Sequence, residues 1–311
     1  MYFIFVVNGR ADKAPVLDEL QRQISAMQTF EHEIYVIRGV GDGTRFVRTY
    51  SDLHPNHEVC FVACGGSGTI NEVAAGIVGY PKMCMGILAL TGTADFVKIF
   101  PDRTFHSVKA LVESQEMRWI DIIKANDDYA LNACDFGFDG KVCETANYLT
   151  EEGKTDGYSR GVVSALFTGR FNRISVEADG ERIGRGLMLL CVLGNGRYTG
   201  GAYMSTPYAK VDDGLMDLCY VKPISLLTFI SILPIYKKGK HFETHNVKDN
   251  FVYRRVKHVE IKSDKLIPIS LDGEILMAKE VQVDLLEKAV RLLLPPSDGS
   301  QRPGDSPFIE V

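Results

Sequence analysis

Positive charge in excess, paired cysteines and long apolar runs are what this sequence does without. Its 35 lysines and arginines face 40 aspartates and glutamates, a formal net charge of −5. That balance gives no support to a nucleic-acid surface, so the expected partners are small molecules and not nucleic acid. The seven cysteines contain no Cys-x-x-Cys pair and mostly sit inside apolar runs. This argues against a zinc site or a disulfide framework and for reduced thiols in a cytoplasmic protein. The longest later candidate for a membrane span, Ile224 to Tyr236, is too short and is broken by Ser225, Thr228, Ser231 and Pro234. The N-terminal MYFIFVVNGR lacks a preceding basic stretch and a small-residue cleavage site, so it reads as a first strand and not as a signal peptide. Two common nucleotide fingerprints are missing as well. No lysine follows the glycines at P-loop spacing, and Asn71 stands where a GxGxxG motif would place its third glycine.

What is present is a strand, a glycine loop and a helix in immediate succession. Val59 to Ala63 is apolar and β-branched enough for a buried strand, and Gly65, Gly66 and Gly68 then surround Ser67. Thr69 and Glu72 have the spacing of a capping box, which predicts a helix starting at Thr69. Ile70, Val73, Ala74 and Ile77 supply its apolar face. Loop N–H groups and the positive end of a helix converging on one point suit an anion. A tight turn with no ligand is the alternative reading of the same pattern.

Around this stretch the first part of the 311-residue chain alternates strands and helices. The pattern predicts strands at Tyr2 to Val7, Glu33 to Arg38, Val59 to Ala63 and Met85 to Leu90, with helices over Pro15 to Met27 and Arg45 to Leu53. Such alternation implies parallel βαβ units, with Asn8, the glycine loop and Thr91 to Asp95 lining one crevice at the carboxyl ends of the strands. From about Arg118 strands dominate. They are expected at Trp119 to Lys124, Tyr129 to Cys134, Arg173 to Glu177, Leu187 to Leu193, Met216 to Val221, Val256 to Ile261, Ile267 to Leu271 and Val281 to Leu285. Asp179-Gly180 and Asp272-Gly273 are hairpin signals, so this domain should be mainly antiparallel. One helix, roughly Ser225 to Tyr236, interrupts it and exits into Lys237, Lys238, Lys240 and His241. Cationic residues at a helix C-terminus fit either a core helix or one lying at a membrane surface. Pro295 to Pro307 reads as a loose tail.

Five segments in order, CGGSGTINEVAAGI, GILALTGTADF, VLGNGRYTGG, AKVDDGLMDL and ISLDGE, resemble the bacterial lipid kinases of the diacylglycerol kinase and sphingosine kinase catalytic superfamily, relatives in fold of NAD kinase. The resemblance implies an α/β nucleotide-binding domain over residues 1–122 and a mainly antiparallel β-sandwich substrate domain over 123–286, with about 287–311 returning to the first. It implies ATP as donor and a lipid hydroxyl as acceptor, the nucleotide lying between the domains. Matched by motif, the nucleotide contacts fall on Asn8, Gly9, Gly65, Gly66, Ser67, Gly68, Thr69, Asn71, Glu72, Gly92 and Thr93, continuing to Ala94. A structural Mg²⁺ falls on the Asp213 carboxylate with the backbone oxygens of Lys210 and Leu215, hard ligands for a hard cation. Glu274 falls on the catalytic base, held at a hairpin edge to accept or orient the proton of the attacking hydroxyl. Peripheral membrane contact is the expectation that accompanies a lipid substrate.

The chain departs from that family in the glycine loop, where Ser67 replaces an aspartate of Gly-Gly-Asp-Gly-Thr. Serine can hydrogen-bond but carries no charge to hold a divalent cation, so impaired activity is expected. Asp121, Asp139, Asp213 and Asp217 are the acids that could supply part of the lost network. In the second motif Leu90 to Phe96 lacks the family's asparagine while keeping Asp95 and Phe96, and Lys98 stands where arginine is common. Two other readings therefore stand beside the lipid kinase: a nucleotide-binding protein that has lost catalysis, and a soluble kinase of a dinucleotide or another metabolite.

Overall fold

The computed structural model describes residues 1–9, 14–27, 30–90, 94–151 and 172–299. Two compact units divide the chain, one comprising Met1–Trp119 with the strand residues from Val290, the other Ile120–Ala289.

The first unit alternates strand and helix: β1 (Tyr2–Asn8), α1 (Ala14–Ser25), β2 (His32–Ile37), α2 (Asp42–Leu53), β3 (Val59–Cys64), α3 (Ser67–Ile77), β4 (Met83–Leu88) and the short α4 (Val108–Val112). The strands lie parallel in the order β2-β1-β3-β4, as apolar runs joined by helical crossovers require. Every residue of β3 and β4 is buried, which is why both read as continuous apolar runs rather than alternating ones. From β1 the chain crosses to β2 on one side and returns to β3 on the other. The sheet order thus reverses between β1 and β3, and the carboxyl ends of those two strands form its switch point.

The second unit is an antiparallel β-sandwich. Its strands are β5 (Glu116–Ala125), whose start lies in the first unit, β6 (Asp128–Ala130), β7 (Ala133–Gly137), β8 (Asn172–Ala178), β9 (Glu181–Met188), β10 (Leu190–Gly194), β11 (Met216–Val221), β12 (Phe251–Val256), β13 (His258–Leu271) and β14 (Glu274–Leu294). Among the described residues its α-helices are α5 (Phe138–Glu151) and α6 (Leu226–Lys237). One run of strands is ordered β12-β11-β10-β7-β13-β14, with β8 and β9 continuing from β13. Side-chain alternation serves two cores. Cys134, Phe136, Cys191, Leu193 and Leu218 point into the core they share with β8, β13 and β14. Their neighbours Ala133, Leu190, Val192 and Cys219 point to the other face, where α5 and α6 pack.

Both Asp-Gly pairs turn hairpins, and all four residues have positive φ: 48° and 80° at Asp179 and Gly180, 53° and 96° at Asp272 and Gly273. Several expectations need correction. Tyr129 to Cys134 is not one strand, because the chain bends around the Asp272 carboxylate, which takes the N–H groups of Leu131, Asn132 and Ala133. Leu187 to Leu193 is likewise two strands, β9 and β10, which break at Leu189. The separate strands expected at Val256 to Ile261 and Ile267 to Leu271 are one strand, β13, with a register shift between Lys262 and Ile267, and Val256 ends β12 instead. Strand β12 and helix α5 are not foreseen by the sequence pattern. The tail beyond Gly299 and the Thr91 to Thr93 turn lie outside the described residues.

Candidate functional site

In the first unit the switch point is occupied by the glycine loop. Val7 and Cys64 are paired in register, so Asn8 and Gly65 leave neighbouring strands side by side. The Asn8 Nδ2 donates to Thr69 Oγ1 at 3.4 Å, joining the end of β1 to the first turn of α3. Thr69 is buried and comes so close to Gly65 that a Cβ there would lie 2.5 Å from its hydroxyl oxygen. Gly9 is constrained in the same way, since its Cβ would meet the Ile37 carbonyl at 2.2 Å. Gly66 has nothing within 4 Å of its Cβ position. The loop is therefore closed on its protein side and open at Gly66, where the first turn of an eleven-residue helix directs its N–H groups.

The capping box expected at Thr69 and Glu72 is absent. Helix α3 begins two residues earlier, at Ser67, after an extended Gly66, which places Thr69 inside the helix. The Glu72 carboxylate turns instead to the start of α2 and accepts from the Gly41 N–H at 3.2 Å and the Gly43 N–H at 2.6 Å. Gly41, the left-handed N-cap of α2, has no side chain to do this itself. Glu72 is thus committed to joining α2 to α3. Asn71 is buried in the same turn, and Asp95, also buried, forms an ion pair with Lys98 at 2.5 Å. Gly92 and Thr93 lie outside the described residues.

In the second unit Glu274 immediately follows the Asp272-Gly273 turn and pairs across it with Leu271. Asp272 pins that turn to the start of the neighbouring strand β7 and the two residues before it through N–H groups at 2.7, 3.0 and 2.8 Å, and its own N–H donates to the Ala133 carbonyl at 3.1 Å. Glu274 is half-buried and anchored at a rigid hairpin edge, the setting a positioned base requires.

The loop expected to carry a divalent cation holds two carboxylates, the exposed Asp212 and the half-buried Asp213, and a guanidinium sits on the second. Asp213 Oδ2 accepts from Arg255 Nη2, and Oδ1 accepts from the Leu215 N–H at 3.2 Å. Among the described residues no three His, Cys, Asp or Glu side chains gather as a metal cluster. The Asp213 carboxylate is thus paired with the guanidinium of Arg255. Two neighbouring acids are engaged within the fold. Asp121, 0% exposed, receives the Gly214 N–H at 2.8 Å and the Lys288 N–H at 2.7 Å. Asp217, also 0% exposed, accepts from the Tyr253 hydroxyl, and burial pushes its pKa up to about 7. The Asp139 side chain lies outside the described set. A chelator should therefore leave the thermal midpoint of the protein unchanged. A midpoint that falls in EDTA and recovers with Mg²⁺ would show that the cation displaces Arg255.

An apolar cavity of about 600 Å³, open solvent at its mouth included, lies on the helical side of the sandwich. Phe138, Leu190, Phe229, Leu233 and Tyr236 line it, with the buried acid Asp135 among them. Sequence reasoning did not single out Asp135. Its signal was an acid in the strand ACDFG, where every residue is buried. Behind the cavity His241, 0% exposed, fills the turn after α6. The rings of Tyr236, Phe242 and Phe251 stand 4.7, 4.1 and 4.8 Å from it, centroid to centroid. Burial lowers its pKa from the ordinary 6.5 to about 4. Between those values the unfolded chain takes up a proton that the folded protein refuses, so the contribution of His241 to stability is full above pH 6.5 and is lost as pH drops towards 4. The loss is about 3 kcal/mol for a shift of this size. The buried Asp217, with its raised pKa, contributes the opposite slope over the same range, so the test is the difference between wild type and His241→Phe in urea titrations, where the wild type should lose ground to the variant as pH drops from 6.5 to 4.

Comparison with known proteins gives a consistent picture. Residues 2–125 match the model of the diacylglycerol kinase catalytic domain, and residues 132–294 that of the YegS C-terminal NAD kinase beta sandwich-like domain. A "Probable lipid kinase YegS-like" of Pectobacterium atrosepticum is 28% identical, covering 94% of this chain and 96% of its own. A "Diacylglycerol kinase" of Staphylococcus carnosus is 29% identical over 79% of this chain and 78% of its own. Among solved structures, a diacylglycerol kinase from Bacillus anthracis shares the fold with a TM-score of 0.64 at 19% identity, covering 95% of this chain and 97% of that one. Yeast NADH kinase shares it with a TM-score of 0.53 at 11% identity, over 96% of this chain and 84% of that one.

Proposed function

We infer the activity from one premise: the chain belongs to the family that joins a diacylglycerol kinase catalytic domain to a YegS C-terminal NAD kinase beta sandwich-like domain. The protein transfers the γ-phosphoryl group of ATP to the hydroxyl of diacylglycerol or a related lipid alcohol. The glycine loop at the β1/β3 switch point is the observation that carries this reading. Its N–H groups and the amino end of α3 receive the triphosphate, with Asn8 and Thr69 shaping the loop wall. Magnesium arrives as part of the nucleotide substrate.

Phosphoryl transfer asks the protein mainly for position and charge. The lipid oxygen bonds to the γ-phosphorus as the bond from that phosphorus to the β–γ bridging oxygen breaks, and ADP departs. The hydroxyl proton goes to the Glu274 carboxylate, which the Asp272 turn holds still. The apolar cavity accommodates the hydrocarbon of the acceptor, and Asp135 gives it a polar group to recognise a hydroxyl.

Ser67 supports a second reading, a nucleotide-binding protein without catalysis, because the loop lacks a carboxylate to hold the metal of the nucleotide. Assay with a panel of lipid alcohols separates the two. The kinase reading expects measurable turnover by the wild type and about a tenfold or greater gain in Ser67→Asp, the scale of a restored charge contact. An inert wild type that gains activity only on that substitution would establish the degenerate reading.

A further inference from the structure

Helix α6 has no charged residue from Leu226 to Tyr236 and yet is only half covered. Phe229, Ile232 and Tyr236 bury one face on the second core of the sandwich. On the opposite face Leu227 is 81% exposed and Ile230 52% exposed, and the exposed Ser231 and Pro234 continue the same stripe at helical spacing. An apolar stripe of this kind on a surface helix lacks the polar outer face that water requires.

What surrounds the stripe identifies its occupant. Lys237, Lys238 and Lys240 are exposed at the carboxyl end of the helix, and Lys222 is exposed just before its start. Cations flanking a flat apolar helix match an anionic lipid surface, where the aliphatic side chains enter the acyl boundary and the ammonium groups stay at the phosphates. The buried face of the same helix supplies Phe229, Leu233 and Tyr236 to the wall of the apolar cavity. We propose that α6 is the membrane-docking element of this protein. It lies flat in the headgroup region of an anionic phospholipid bilayer through Leu227 and Ile230, held by Lys237 and Lys238, so that the cavity behind it draws its ligand from the bilayer. The use made of the cavity rests on the lipid kinase reading. The docking does not.

Flotation of the full chain with phosphatidylcholine vesicles, with and without phosphatidylglycerol, tests this. The wild type binds the anionic vesicles, and binding weakens as salt is raised. Leu227→Glu with Ile230→Glu abolishes the binding, and neutralising each lysine to glutamine weakens it about fivefold. All four positions are exposed, so thermal midpoints stay at the wild-type value, and turnover of a short-chain lipid alcohol dispersed without vesicles is retained. Failure of the wild type to float, or undiminished binding by the Leu227/Ile230 variant, overturns the proposal. So does a concentration-dependent dimer abolished by that variant, which would assign the stripe to a second copy of the chain. Vesicle binding without turnover of any lipid alcohol would leave the docking in place and remove the kinase reading.

Discussion

Glu274→Ala is expected to lower turnover by about a hundredfold to ten-thousandfold, the usual contribution of a positioned general base, while leaving the fold intact. The side chain sits one residue beyond a hairpin turn and is half-buried, so its loss opens no core cavity. The turn itself is held through the Asp272 carboxylate. Glu274→Gln should fall almost as far, since the amide keeps the shape and loses the basicity. Steady-state transfer rates together with a thermal melt check this. Turnover like that of the wild type in either variant would take Glu274 out of the mechanism.

Asp272→Ala is expected to produce the largest loss of stability. Its carboxylate accepts the N–H groups of Leu131, Asn132 and Ala133 within 3.0 Å, and Ala133 and Asn132 are buried. Removing the acceptor strands donors that water cannot reach, at about 1–3 kcal/mol for each buried group left unsatisfied. Alanine at φ 53° adds backbone strain, because the left-handed region favours glycine, asparagine and aspartate. Asp272→Asn, which keeps one acceptor oxygen and tolerates this φ, should recover a large part of the loss. Urea unfolding of the three proteins measures the series. Equal stability of Asp272→Ala and wild type would mean that the turn is held by other contacts. Transfer activity should fall with Asp272→Ala as well, since Glu274 then loses its fixed edge.

The two predictions also mark where the sequence was legible. Asp-Gly pairs between apolar runs announce their hairpins because the turn demands positive φ locally, and both hairpins form. The parallel strands and the strand-loop-helix order of Gly65 to Ile77 are equally local, and so are the helix start at Ser225 and its exit into lysines. What stayed hidden depends on distant partners. Glu72 fits a capping box by spacing, but its carboxylate is claimed by the start of α2, 29 residues away. Asp213 matches a metal loop by motif, and its partner Arg255 comes from another strand 42 residues on. The polar stretch Ser263 to Lys265 resembles a loop between two strands, though the ladder resumes past the register shift. Asp135 is buried among strand residues and faces a cavity that no local pattern announces.

The central claim is that ATP gives up its terminal phosphoryl group to a lipid hydroxyl on this protein. The direct measurement is the fate of γ-labelled ATP incubated with the protein and mixed vesicles containing diacylglycerol, followed by extraction into organic solvent. The account predicts label in the organic phase as a phosphorylated lipid, lost in Glu274→Ala. Label that stays in the aqueous phase at every nucleotide and lipid concentration, as ATP or as free phosphate, would contradict it.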